Sequence, residues 1–237
     1  MANVFVPLIL SVILSLVYIF SYKVSDKMEK WHEYILSIGS GMIIAILFSE
    51  VIPDLIENGS KFLSPTAISM SMLLGFAGYH AIEKYTYKHT RKTFVAERIG
   101  YLHIAGFFLD NFLEGFVLVL IFILPGTPGY LPYVLFIPLL LGDISASGML
   151  RHINDKFKLK SFGLVFLSSS IFFGALSAIM LDLSKSTFYF ALSFISGAFI
   201  YFVTRDELPR GRKGKLAVFL ISLLIVVGLF VFLPKLF

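Results

Sequence analysis

Eight long stretches of the chain are almost entirely apolar, and short polar loops separate them. Each stretch approaches the roughly 20 residues that a helix needs to cross the hydrocarbon core of a bilayer. The stretches cover residues 4–20, 34–56, 67–85, 99–124, 130–150, 162–183, 188–203 and 216–237. The pattern predicts an all-α, polytopic membrane protein, with eight transmembrane helices in one bundle and a single transmembrane domain over residues 1–237.

Composition supports this class and narrows the chemistry. Hydrophobic residues make up 57% of the chain and charged residues only 15%, and the mean hydropathy is +0.87. A soluble domain of this length could not bury so much apolar surface. Cysteine is absent, which excludes disulfides, thiolate metal ligands and thiol nucleophiles. The remaining site chemistry is that of oxygen and imidazole groups.

The distribution of basic residues predicts the orientation of the helices. The loops after the first, third, fifth and seventh stretches, together with Lys84 at the end of the third stretch, hold 17 of the 20 Lys and Arg residues. Because cytoplasmic loops retain positive charge, we expect these four loops inside and both termini outside. The net charge of +5 then reflects topology and contact with the lipid bilayer, and we do not expect nucleic-acid binding. We expect the protein to lie in the plasma membrane.

The fourth stretch carries acids near its middle, namely Asp110 and Glu114, with Asn111 between them. At about 100° per residue, His103, Asp110 and Glu114 share one face of a helix whose other faces are apolar. An ionisable group at this depth costs at least a few kcal/mol (roughly 2.5–3.5 on insertion scales) unless it is paired or hydrated. This face is therefore predicted to meet other helices or water.

Two other stretches carry acids that could join the same path. Glu50 and Asp54 lie one turn apart in the second stretch, and Pro53 between them frees a carbonyl one turn earlier. Asp143 lies in the fifth stretch among small residues that allow close helix approach. A purely structural role is open for each acid alone. A cluster of acids at mid-membrane depth without Lys or Arg favours a cation or protons.

The predicted metal ligands are therefore Asp110, Asn111, Glu114 and Asp143, with Glu50 and Asp54 as an outer entry. Hard oxygen donors suit Mg²⁺, Mn²⁺, Ca²⁺ or ferrous iron, and suit zinc less well than sites rich in His or Cys. The divalent cation is the transported substrate in this interpretation. No cofactor and no enzymatic activity are expected.

The same residues resemble the motifs of the ZIP metal-ion transporters. Residues 110–115, Asp-Asn-Phe-Leu-Glu-Gly, resemble that family's His-Asn-x-x-Glu-Gly, and the Gly142-Asp143 pair resembles the end of its fifth-helix motif. Residues 48–54 resemble Phe-x-His-x-x-Pro-Glu, with Glu50 at the His position, and residues 197–209 resemble Gly-x-x-x-Tyr followed by Leu-Pro. The resemblance implies eight helices, outside termini, divalent metal transport and a homodimer.

The chain departs from the family in its fifth helix. Apolar residues stand where the family presents its His and Glu ligands; they are Leu135, Phe136, Leu139 and Leu140. Two alternatives to transport therefore stay open. One is a non-transporting relative whose metal site has decayed. The other is an intramembrane aspartyl protease, which needs two facing aspartates such as Asp110 and Asp143.

Overall fold

The chain is described here from a computed structural model. The structure describes residues 5–28, 31–90, 96–123, 130–154, 162–181, 184–204 and 215–232. Within these ranges every element of regular secondary structure is a helix. The prediction of an all-α protein is confirmed for this part of the chain. The Leu208-Pro209 pair of the predicted seventh-helix motif lies outside the described residues.

The described ranges hold eight helices, which we label in chain order. Helix α2 has three parts, which are an α-helix over His32–Ile46, a π-helical turn at Leu47–Val51 and a short α-helix over Ile52–Glu57. The other helices are α1 (Phe5–Met28), α3 (Pro65–Thr90), α4 (Ala96–Ile123), α5 (Leu131–Asn154), α6 (Phe162–Met180), α7 (Lys185–Phe202) and α8 (Leu216–Phe232). Each matches one predicted stretch.

Several helices extend beyond the apolar stretches that predicted them. Helix α1 continues to Met28 and α3 to Thr90, and the added turns contain polar residues that a search for apolar stretches leaves out. The hydropathy pattern marks only the apolar part of a helix.

The helices divide into two compact units. The first contains Met1–His32 and Ala81–Asp182, and therefore α1, α4, α5 and α6. The second contains Glu33–His80 and Leu183–Phe237, and therefore α2, most of α3, α7 and α8. Each unit combines two chain segments that are distant in sequence. The single domain over residues 1–237 stays a prediction.

In the first unit, α4 and α6 pack with their backbones in close approach. A Cβ atom on Gly115 would overlap the backbone carbonyl oxygen of Ile171, and a Cβ atom on Gly174 would overlap the backbone carbonyl oxygen of Phe112. The Asn111 side chain donates from Nδ2 to the Leu167 carbonyl at 3.0 Å. Glycine is required at both positions because a side chain would force the helices apart.

The second unit contains a helix pair of the same kind. Helices α3 and α7 approach each other closely at two glycines. Gly75 contacts the backbone carbonyl of Phe194, and Gly197 contacts the backbone carbonyl of Met72. The Ser71 hydroxyl donates to the carbonyl of Phe190 at 2.9 Å. Two small residues and one polar side chain thus hold this pair as well.

The residue spacing of the two helix pairs is identical. In both pairs, a polar residue lies four positions before a glycine on the same helix, and this glycine contacts a backbone carbonyl of the partner helix. The polar side chain donates a hydrogen bond to another carbonyl of the partner helix, four positions before the one that the glycine contacts. The equivalent residues are Asn111 and Ser71, Gly115 and Gly75, Leu167 and Phe190, Ile171 and Phe194, and Gly174 and Gly197. The two units therefore share one helix-packing motif, which the sequence alone did not make visible.

Candidate functional site

Two carboxyl groups meet in the interior of the first unit. Helix α4 carries Glu114, which is 7% exposed, and α5 carries Asp143, which is 1% exposed. The two side chains are direct neighbours. A Cβ on Gly142 would be 3.5 Å from Glu114 Oε1, an ordinary contact distance, so the Glu114 carboxyl lies against α5 at Gly142. The structure brings these two predicted ligands together.

The Asp143 carboxyl group is paired with the Glu114 carboxyl and, among the described residues, with no basic side chain. In the described part of the chain its oxygens have no other hydrogen-bond partner. Buried carboxyl oxygens in proteins are normally paired. Two ionised carboxylates in contact repel each other strongly in an interior of low dielectric constant. This pair therefore calls for a positive charge, either a proton or a metal cation.

Asn111 lies at the same level of α4 and is 2% exposed. Its amide nitrogen is committed to the Leu167 carbonyl, which fixes the orientation of the amide and leaves the oxygen Oδ1 as the atom suited to bind a cation. Asp110 precedes it in the chain and is partly buried. The side chain of His103, on the same predicted face, lies outside the described residues.

Tyr18 of α1 is a member of this group that the sequence did not predict. The side chain is fully buried, with 0% exposure, and its hydroxyl has no hydrogen-bond partner among the described residues. The Asn111 side chain and the acids Asp143, Glu114 and Asp110 are the polar groups around the hydroxyl. No motif or spacing could have revealed it, because a tyrosine in an apolar stretch is typical of a packing residue.

The other two predicted ligands, Glu50 and Asp54, belong to α2 in the second unit. Their charges act on one another, as their spacing of one turn predicts. Glu50 lies in the π-helical turn that precedes Pro53, and such turns are frequent at functional sites. Their place at the entry of a cation path stays a prediction.

Hydrogen bonds tie Asp54 to the end of α2. Its Oδ1 accepts a hydrogen bond from Asn58 Nδ2 at 2.7 Å. Lys61 Nζ in turn donates to Asn58 Oδ1 at 2.6 Å. This chain of contacts links Asp54 to a basic side chain through one amide. Asp54 is therefore better neutralised than the buried pair in the first unit.

The first half of α5 is apolar packing. Leu135 is 6% exposed and Leu139 is 1% exposed, so the positions at which the resembled family presents His and Glu are filled with buried hydrocarbon. Among the described side chains, no three of His, Cys, Asp and Glu come together as a metal-binding group. The candidate site is a carboxyl pair with neutral oxygens from Asn111 and Tyr18 around it.

The carboxyl group that contacts Asp143 is Glu114. The protease alternative requires an aspartate dyad, so this pairing gives it no support. No protein-family model matches the chain, and no curated protein matches it.

Proposed function

We propose that the chain is a membrane carrier of divalent cations, similar to the ZIP transporters, and that it holds the ion at the Glu114 and Asp143 pair. The observation that carries this proposal is Asp143, which is fully buried beside a second buried acid and has no basic partner, and no hydrogen-bond partner other than that acid, among the described residues. A structural carboxylate would have a basic or hydrogen-bonding partner, whereas a cation-binding carboxylate needs open oxygens.

The apolar exterior of the helices supports a location in a membrane. Two described helical segments, Phe5–Val24 and His32–Lys61, are long and apolar enough to cross a bilayer, although buried helices of soluble proteins can satisfy the same criterion. Large apolar side chains are also exposed along α1 and α8, among them Leu16 at 61%, Phe20 at 66% and Leu224 at 65%. Such apolar faces are favourable in contact with lipid and unfavourable in contact with water.

The shared helix-packing motif supports transport. The α4–α6 pair and the α3–α7 pair make their contacts with the same residue spacing. Each compact unit contains one copy of this motif. Internal structural repeats are common in secondary transporters.

The atoms around the pair favour a hard cation. Carboxylate, amide and hydroxyl oxygens suit Mg²⁺, Mn²⁺, Ca²⁺ or ferrous iron. Asp110 and Asn111 would complete the ligand set, and Glu50 and Asp54 would form the entry. A homodimer in the plasma membrane is the assembly that the family resemblance implies.

A non-transporting relative of the same family is the second candidate. The buried leucines at 135 and 139 favour it, because they remove half of the ligands that the family uses. The surviving acids oppose it, since sequence drift should first replace the charges that cost most in a membrane.

Uptake into proteoliposomes separates the two candidates. The purified chain is reconstituted, and uptake of Mn²⁺, Fe²⁺, Zn²⁺ and Mg²⁺ is followed with dyes or isotopes trapped inside. The Asp143→Asn variant keeps the size of the side chain and removes its charge, and Glu33→Gln, at an exposed acid, is the control. We expect uptake at low ion concentration to fall more than about tenfold in Asp143→Asn only, because losing one partner of a buried charge pair costs roughly 2–5 kcal/mol. Equal uptake by all three proteins would refute the proposal, and no uptake by the wild type would favour the decayed site.

A further inference from the structure

The aromatic ring of Tyr18 is fixed by packing. It forms a buried apolar cluster with Leu164 and Leu167 of α6, and Phe108 of α4 packs against the same cluster. The Leu167 carbonyl also accepts the hydrogen bond from Asn111. The ring therefore touches the residue that orients Asn111, and its rotation is limited by two other helices.

Helix α1 packs against α5, which carries Asp143, and against α6. The Tyr18 hydroxyl is buried without a well-formed hydrogen bond among the described residues, and the polar groups around it are the Asn111 side chain and the acids Asp143, Glu114 and Asp110. Among the described residues the Asp143 oxygens have the Glu114 carboxyl as their partner and no other. A buried tyrosine hydroxyl usually finds a partner. In the described part of this interior, the Tyr18 hydroxyl and the Asp143 carboxyl are thus two buried groups whose hydrogen bonding is incomplete.

We infer that Tyr18 is a positioning residue of the cation site. When the ion is bound, the Tyr18 hydroxyl donates a hydrogen bond to one oxygen of Asp143, directly or through one water molecule, and so turns the other oxygen towards the ion. Carboxylates that bind metals are commonly held by hydrogen bonds of this kind. This inference rests on the proposed function.

The chemistry of a phenol suits this role better than that of a basic side chain. A Lys or Arg at residue 18 would neutralise one carboxylate and compete with the cation. A neutral hydroxyl orients Asp143 and leaves the full negative charge of the pair for a divalent ion. The position on α1 also adds a third helix to a site whose acids come from α4 and α5.

Calorimetric titration of the detergent-purified chain with Mn²⁺, and separately with Zn²⁺, tests the inference. Tyr18→Phe removes only the hydroxyl and keeps the ring in its cluster. Tyr22→Phe is the matched control, because Tyr22 lies one turn further along α1 and packs against the same cluster. Asp143→Asn reports on the site itself. The melting temperature of each variant without metal is measured alongside.

We expect Tyr18→Phe to raise the Kd about 10- to 100-fold, the usual effect of losing a group that orients a ligand. Its melting temperature without metal should equal that of the wild type, and Tyr22→Phe should bind as the wild type does. If Asp143→Asn loses binding while Tyr18→Phe keeps the wild-type Kd, the inference is wrong and the proposed function stands. If Tyr18→Phe lowers only the melting temperature, Tyr18 is a packing residue and the inference is also wrong. If the wild type binds neither ion, both the proposed function and the inference fail.

Discussion

The close approach of α4 and α6 leads to a specific prediction for Gly115→Ala. The new methyl group would overlap the Ile171 carbonyl oxygen and lie 3.1 Å from the Ala175 nitrogen. Both atoms belong to the backbone of α6, so no side-chain rotation can make room. One of the two helices has to move, and the movement also strains the bond between Asn111 and Leu167 one turn away.

The expected loss of stability follows from three contributions. Overpacking of a tight contact costs about 1–3 kcal/mol, and a weakened hydrogen bond adds about 0.5–1.5 kcal/mol. Alanine returns up to about 1 kcal/mol through its higher helix propensity. We therefore expect Gly115→Ala to lower the free energy of unfolding by about 1–3 kcal/mol.

Reversible unfolding of the purified chain by SDS titration in mixed micelles measures this change. Gly228→Ala is the matched control, because a Cβ at that position of α8 would meet nothing within 4 Å. The control should be as stable as the wild type or slightly more stable. If Gly115→Ala and Gly228→Ala have the same stability, α4 and α6 do not approach as described, and the position of Asn111 is wrong as well.

Two further predictions concern the interior and the topology. Asn111→Ala should lower the free energy of unfolding without metal by about 0.5–1.5 kcal/mol, because the bond to Leu167 is lost, and a neutral effect in the same SDS titration would contradict that contact. The chain has no cysteine, so single cysteines report the topology directly: a membrane-impermeant maleimide should label Ser60→Cys in intact cells and Lys213→Cys only after permeabilisation, and the reverse pattern would invert the orientation.

The sequence predicted the helices well because each one is defined by a local pattern. The Glu114 and Asp143 pair could also be predicted, since charged groups in apolar stretches are costly and tend to meet. The irregular turn of α2 before Pro53 agrees with the carbonyl that the proline was expected to free.

Other features depend on which helices meet, and that information is not local. Tyr18 has the same sequence context as a packing aromatic, and only the packing of α1 against α5 and α6 brings its hydroxyl near the acids. The equivalent glycines of the two helix pairs are separated by different distances in the chain, so the shared packing motif emerges only from the contacts.

Thermal unfolding of the detergent-purified chain with and without divalent ions tests the central claim most directly, namely that Glu114 and Asp143 hold a cation. Mg²⁺, Mn²⁺, Ca²⁺, Fe²⁺, Co²⁺ and Zn²⁺ are compared for the wild type and for Asp143→Asn. Binding at 100 times the Kd stabilises the folded state by about 2.7 kcal/mol, which corresponds to a shift of about 5–10 °C for a chain of this size. We predict such a shift for at least one oxygen-preferring ion in the wild type and its loss in Asp143→Asn. No shift with any ion, or an equal shift in the variant, would contradict the claim.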